Sequence, residues 1–134
     1  MRYRIQELLE KRTQRGVVSA ELTRLGDAAR AAFDDRLLYL RDQPPPGWRD
    51  PHAKRLSPDR DPKCKDIYEI RFKANRVEQR PLGYFGPEID IFTIVLWATH
   101  KGRQWKPREY CRIANERWDE FRRGEIEARE IEID

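Results

Sequence analysis

Two arginines and two histidines are the side chains of this 134-residue sequence best suited to chemistry on a phosphate ester. Arg71 and Arg80 lie in neighbouring strand-like segments, and a guanidinium group can hold a phosphate by two hydrogen bonds and stabilise developing charge. His52 and His100 are the only histidines, and an imidazole can move a proton near neutral pH. Arg71 and Arg80 are therefore candidates for binding a phosphate, and His100 is a candidate general acid or base.

Each of these side chains also has a purely structural interpretation. Arg71 and Arg80 could be exposed residues that only pair with Glu69 or Glu78, and such surface pairs contribute little. His100 could be a solvated residue at the end of a strand. The residue types alone leave both interpretations open.

The distribution of charge favours a partner that is a polyanion. Residues 49–80 hold ten Lys and Arg against six Asp and Glu, and residues 100–123 hold eight against four. Residues 124–134 hold one Arg against five acidic residues. Two basic segments followed by an acidic tail are typical of a polyanion-binding face, although a solvated surface of mixed charge is the alternative.

Composition limits the class of protein. Hydrophobic residues are 38% and charged residues 39%, which indicates a polar but folded single domain. Cys64 and Cys111 do not make a disulfide framework, and neither has metal-ligand spacing, so we expect no metal and no cofactor. The most apolar stretch, residues 89–98, is too short to span a bilayer. We therefore expect a soluble, cytoplasmic protein with no membrane association.

The first third of the chain predicts a strand and a helical hairpin. Residues 2–9 favour a strand, although their apolar spacing also suits a helix face. Ser19 is a candidate N-cap for a helix over residues 20–25, and Asp27 for a helix that runs to about Arg41. The Pro-rich segment after it predicts a loop over residues 48–65 with a short strand at 53–56.

The remainder predicts strands and a last helix. Residues 67–73 and 76–84 alternate like strands, and Pro81 indicates an edge or a bulge. Residues 89–97 are apolar on both faces, as in a central strand, and a helix runs from Pro107 to Gly124. The predicted class is α+β, with an antiparallel sheet of about four strands. Residues 1–124 would form the domain, and 125–134 an acidic tail or an edge strand.

Four segments together resemble the RelE/HigB superfamily of toxins from bacterial toxin–antitoxin pairs, and most of all its phage-derived branch. They are PHAKRL at 51–56, DIYEIR at 66–71, QRPLGYF at 79–85, and WATHK at 97–101 followed by KPRE at 106–109. The chain departs from the family in having His100-Lys101 where a Lys-Lys pair is usual, and in having Pro81 within a strand.

The resemblance implies a RelE-like fold and cleavage of mRNA in the decoding site of the ribosome. It implies a catalytic set of Arg71, Arg80, His100 and Lys101, a 2′-hydroxyl that attacks the adjacent phosphate without a metal, and a cognate antitoxin as partner. The RNA-binding residues that we expect are His52, Lys54, Arg55, Lys73, Arg76, Arg103 and Lys106.

Two other functions stay open at this point. ParE-like relatives share the fold and act on DNA gyrase, and fold alone does not choose between these targets. A phage or regulatory protein that binds a partner without catalysis is the second alternative.

Overall fold

One mixed sheet of eight strands, with three helices, organises residues 2–133, which are the residues that this computed structural model describes. In chain order the elements are β1 (Arg4–Leu8), α1 (Val17–Leu25), α2 (Asp27–Leu40), β2 (Ala53–Arg55), β3 (Tyr68–Ile70), β4 (Phe72–Ala74), β5 (Val77–Phe85), β6 (Ile91–Lys101), β7 (Gln104–Lys106), α3 (Tyr110–Arg122) and β8 (Ala128–Glu130). The α+β class matches the sequence-based expectation.

The predicted antiparallel sheet of about four strands is wrong. The strand order is β2-β3-β5-β6-β1-β8, with β4 also on β5 and β7 on β6, and β1 runs parallel to β6. A parallel pair needs a long crossover, and the helical hairpin after β1 begins that connection. Five of the strands have three residues each in positions next to loops, and such short segments carry almost no alternation signal.

The middle of the sheet follows the hydrophobic pattern. Residues 91–98 of β6 are all buried, which confirms the predicted central strand. Pro81 does not mark an edge, because β5 lies between β3 and β6; the pairing register shifts one residue later, between Leu82 and Gly83. A Cβ atom on Gly83 would lie 2.2 Å from the backbone oxygen of Thr93, so this approach of β5 to β6 requires glycine.

Helices cover the two faces of the sheet unequally. The helical hairpin packs on one face, where the Phe33 ring lies 5.4 Å from Trp97 and 5.6 Å from Phe72. Helix α3 packs on part of the other face, where Trp118 stacks on Tyr84 at 4.7 Å. The part of this second face that α3 leaves uncovered contains the candidate site.

The start of α1 differs from the prediction. The helix begins at Val17, and Ser19 lies inside its first turn instead of capping it. The cap comes from Glu7 of β1, whose buried carboxylate accepts hydrogen bonds from the Val18 and Ser19 backbone N–H groups at 2.9 and 3.0 Å. A cap supplied from a distant strand cannot be recognised from local sequence.

The disulfide and the C-terminal strand are two further features of the fold. Cys64 and Cys111 are joined by a disulfide that the sequence did not predict, because residues 47 positions apart give no sequence sign of their proximity. Within the segment predicted as an acidic tail or an edge strand, Ala128–Glu130 form β8, an edge strand that pairs antiparallel with β1. Within residues 2–133, no helix combines the length and the apolar character needed to cross a bilayer.

Candidate functional site

Arg71 and Arg80 lie directly opposite each other on the second face of the sheet. The pairings of Phe72 with Gln79 and of Glu69 with Leu82 set a register that places Arg71 across from Arg80. Opposite residues of an antiparallel pair project to the same face. The two arginine side chains therefore lie on the same face of the sheet.

A cleft of about 440 Å³ opens beside Arg71. Its walls come from β2, the loop after β2, the sheet, β7 and the first turn of α3. The lining residues are Lys54, Leu56, Ser57, Arg60, Asp61, Cys64, Glu69, Arg71, His100, Trp105 and Tyr110. The disulfide joins the loop that carries Arg60 and Asp61 to the start of α3, and so fixes two walls of the cleft to each other.

Glu69 is the charged residue at the base of this cleft. Its side chain is 2% exposed, and its Oε1 accepts a hydrogen bond from Arg71 Nε at 2.8 Å. Its Oε2 lies 3.9 Å from Arg80 Nε, and neither of these two buried atoms has a hydrogen-bond partner among residues 2–133. Burial raises the pKa of Glu69, while the charges of Arg71, Arg80 and Lys54 act in the opposite direction.

The two arginines differ in access to solvent. The Arg71 side chain is 27% exposed, lines the cleft, and forms a second ion pair with Asp50. The Arg80 side chain is 8% exposed, pairs with Glu78 at 3.2 Å, and donates from Nη1 to the Gln79 carbonyl oxygen at 3.0 Å. Arg80 does not line the cleft, so of the two arginines expected to bind phosphate only Arg71 reaches it.

His100 lies across the cleft in a stack of three rings. It is opposite Trp105 in the β6–β7 hairpin, with ring centroids 5.1 Å apart, and Trp105 stacks on Tyr110 at 4.0 Å. Burial raises the pKa of the Tyr110 hydroxyl, and the charge of Glu69 adds to this shift while that of Arg60 opposes it. The cleft thus combines an imidazole, a phenol and a guanidinium group.

The other predicted residues divide between the cleft and the rest of the surface. Lys54 lines the cleft, whereas Lys101 is exposed at the end of β6 outside it. His52 stacks on Tyr39 of α2 at 4.1 Å, and burial together with the charge of Arg36 lowers its pKa. The structure therefore does not bring His52 to the cleft.

The remaining five basic residues lie at two hairpins and one edge strand. Arg55 pairs with Asp66 at 3.3 Å and faces a separate groove beside α3. Lys73 and Arg76 are exposed at the β4–β5 turn. Arg103 and Lys106 border a second cavity next to Trp105.

Sequence reasoning missed Glu69 as a site residue and treated it only as a surface partner of Arg71. Strand alternation did place it on the face of Arg71, two residues away. Its burial comes from packing beneath the loop after β2 and beside Tyr110, which no local pattern reveals. A Glu and an Arg two residues apart in a strand therefore predict a buried ion pair only when the loop that covers them is known.

No protein-family model, curated protein or solved structure matches this chain. Among the described residues, there is also no group of three or more His, Cys, Asp or Glu side chains arranged to hold a metal ion.

Proposed function

We propose that this protein is a RelE/HigB-like endoribonuclease that cleaves mRNA on the ribosome and is the toxin of a toxin–antitoxin pair. The observation that carries the proposal is the cleft in which Arg71, held by the buried Glu69, faces His100 and the basic residues Lys54 and Arg60. A guanidinium group, an imidazole and flanking cations are the groups that cleavage of an RNA backbone requires.

The reaction would begin with attack of a ribose 2′-hydroxyl on the adjacent phosphorus. The hydroxyl loses its proton, the bond to the 5′-oxygen breaks, and that oxygen gains a proton, leaving a 2′,3′-cyclic phosphate and a 5′-hydroxyl. Arg71 would stabilise charge on the nonbridging oxygens, and His100 would accept or donate one of the two protons. Glu69 and Arg80 are positioning residues, since both are buried behind Arg71.

The antitoxin, the ribosome and a cytoplasmic location belong to the same proposal and rest on the resemblance of the four sequence segments. The disulfide counts against a cytoplasmic location, because such bonds are rare in a reducing cytoplasm. Cys64 and Cys111 are 4% and 2% exposed, so the folded protein shields the bond from soluble thiols.

The test is cleavage of a defined mRNA in a reconstituted translation system, read by primer extension. The wild-type chain should cut the mRNA only on translating ribosomes, and Arg71→Ala should lower the rate by about 10²–10³-fold, as loss of one charge-stabilising donor does. The matched control is Arg24→Ala, which removes an arginine ion-paired with Glu21 at 2.9 Å on an outer helix.

Three results would count against the proposal. They are intact mRNA with the wild-type chain, equal cleavage by wild type and Arg71→Ala, and inhibited DNA supercoiling with intact mRNA, which would favour the gyrase-directed alternative.

The ion pairs of Arg71 and Arg80 favour a non-catalytic binding protein as the other candidate function. In that case no cleavage occurs, and Arg71→Ala changes thermal stability alone.

A further inference from the structure

A second cavity shares two of its walls with the cleft. It measures about 450 Å³ and lies between β7 and the start of α3. Its lining consists of Arg103, Gln104, Trp105, Lys106, Arg108 and Tyr110. Trp105 and Tyr110 line both cavities, so this groove continues directly from the cleft.

The cations of this groove have no carboxylate partner in the part of the chain that the structure describes. Arg103, Lys106 and Arg108 are exposed, and none forms a salt bridge within residues 2–133. Arg71 and Arg80, in contrast, are both ion-paired. Cations without a protein partner contribute most to the free energy of binding a polyanion. Its phosphates can bind them without breaking an ion pair, and the contact releases counterions condensed on the polyanion.

The aromatic side chains supply a flat surface between these cations. The Trp105 and Tyr110 rings are 15° from parallel with centroids 4.0 Å apart, and both side chains are partly exposed. Aromatic rings in a basic groove are the usual platform on which an unpaired base stacks, with little dependence on the identity of the base.

We propose that this groove binds a single-stranded polynucleotide, with one base stacked on the Tyr110 ring that Trp105 supports from its other side, and the neighbouring phosphates on Arg103, Lys106 and Arg108. The inference rests on the proposed function for its choice of RNA over DNA. The shared walls place the bound nucleotide next to the phosphate held in the cleft, so the groove would set the direction in which the strand crosses the site. A duplex would not expose a base face to these rings.

The inference is tested by fluorescence anisotropy with a labelled 2′-O-methyl oligouridine of about eight nucleotides, which lacks the attacking hydroxyl, and with the matching DNA strand. Trp105→Ala should weaken binding by about 5- to 100-fold, and Trp105→Phe should retain most of the affinity. Arg103→Gln with Arg108→Gln should lower the slope of log affinity against log salt by about 1.4. The matched control is Arg12→Gln with Arg15→Gln, two exposed arginines before α1, which should leave the slope unchanged.

Equal affinity and equal slope in all variants would overturn the inference, as would binding of the DNA strand alone. If Trp105→Ala fails to fold, the two double arginine variants still test the inference, because the substituted side chains are exposed. Strand binding that depends on Trp105 without any mRNA cleavage would leave the groove assigned and refute the nuclease. Cleavage of mRNA at the same rate by wild type and by the groove variants would support the nuclease and refute the role of the groove.

Discussion

The disulfide between Cys64 and Cys111 should be a major source of stability. It closes a loop between residues 47 positions apart, and chain entropy for a loop of this length gives about 4 kcal/mol at 25 °C. For a chain of 134 residues this corresponds to a melting temperature lower by about 10–15 °C in the reduced protein. Because both cysteines are buried, reduction must be carried out in urea before refolding.

Urea denaturation of the oxidised and the reduced protein measures this difference. The reduced protein should unfold at a lower urea concentration and with a larger m-value, because its unfolded chain exposes more surface. The double variant Cys64→Ala with Cys111→Ala is the matched control, and reductant should not change its midpoint. Equal midpoints for oxidised and reduced wild type would refute the reasoning, since the bond would then place no constraint on the unfolded chain.

Three further changes test the packing around the site and the sheet. Burial raises the pKa of Glu69, so the folded state holds its proton more tightly than the unfolded state, and stability falls as pH rises from the ordinary carboxyl range through the folded pKa. Urea midpoints between about pH 4 and 7 should therefore fall more for wild type than for Glu69→Gln; parallel pH profiles would contradict this. Glu7→Ala removes the cap of α1 and should cost about 1–3 kcal/mol by the same assay, with the exposed Glu10→Ala as a neutral control. Gly83→Ala would place a Cβ atom 2.2 Å from the Thr93 backbone oxygen and should cost about 1–3 kcal/mol in thermal unfolding; an unchanged melting temperature would show that β5 can shift.

The parts of the fold that sequence predicted are those with a repeating hydrophobic signal. Helix α2 and strand β6 each carry such a pattern over ten or more residues, and both occur where expected. The parallel partner of β6 could not be predicted, because the pairing of β1 with β6 joins residues almost ninety positions apart. Local patterns show which face of a strand is buried but not which strand lies beside it.

The candidate site shows the same limit. Alternation along β3 and β5 placed Arg71 and Arg80 on one face, which the register bears out. It could not show that the loop after β2 and the first turn of α3 cover that face unevenly, leaving Arg71 accessible and Arg80 buried. The exposure of a polar side chain depends on what covers it, and here the cover comes from segments distant in sequence.

The neighbours of β1 have a consequence for how the chain acquires its structure. This strand is flanked by β6 and β8, both from the last third of the sequence, and Glu7 within it also contacts Arg129. During synthesis, β1 therefore cannot complete its pairing until both β6 and β8 have been made. Pairings over such separations slow folding, so we expect the newly made protein to mature late and as a unit.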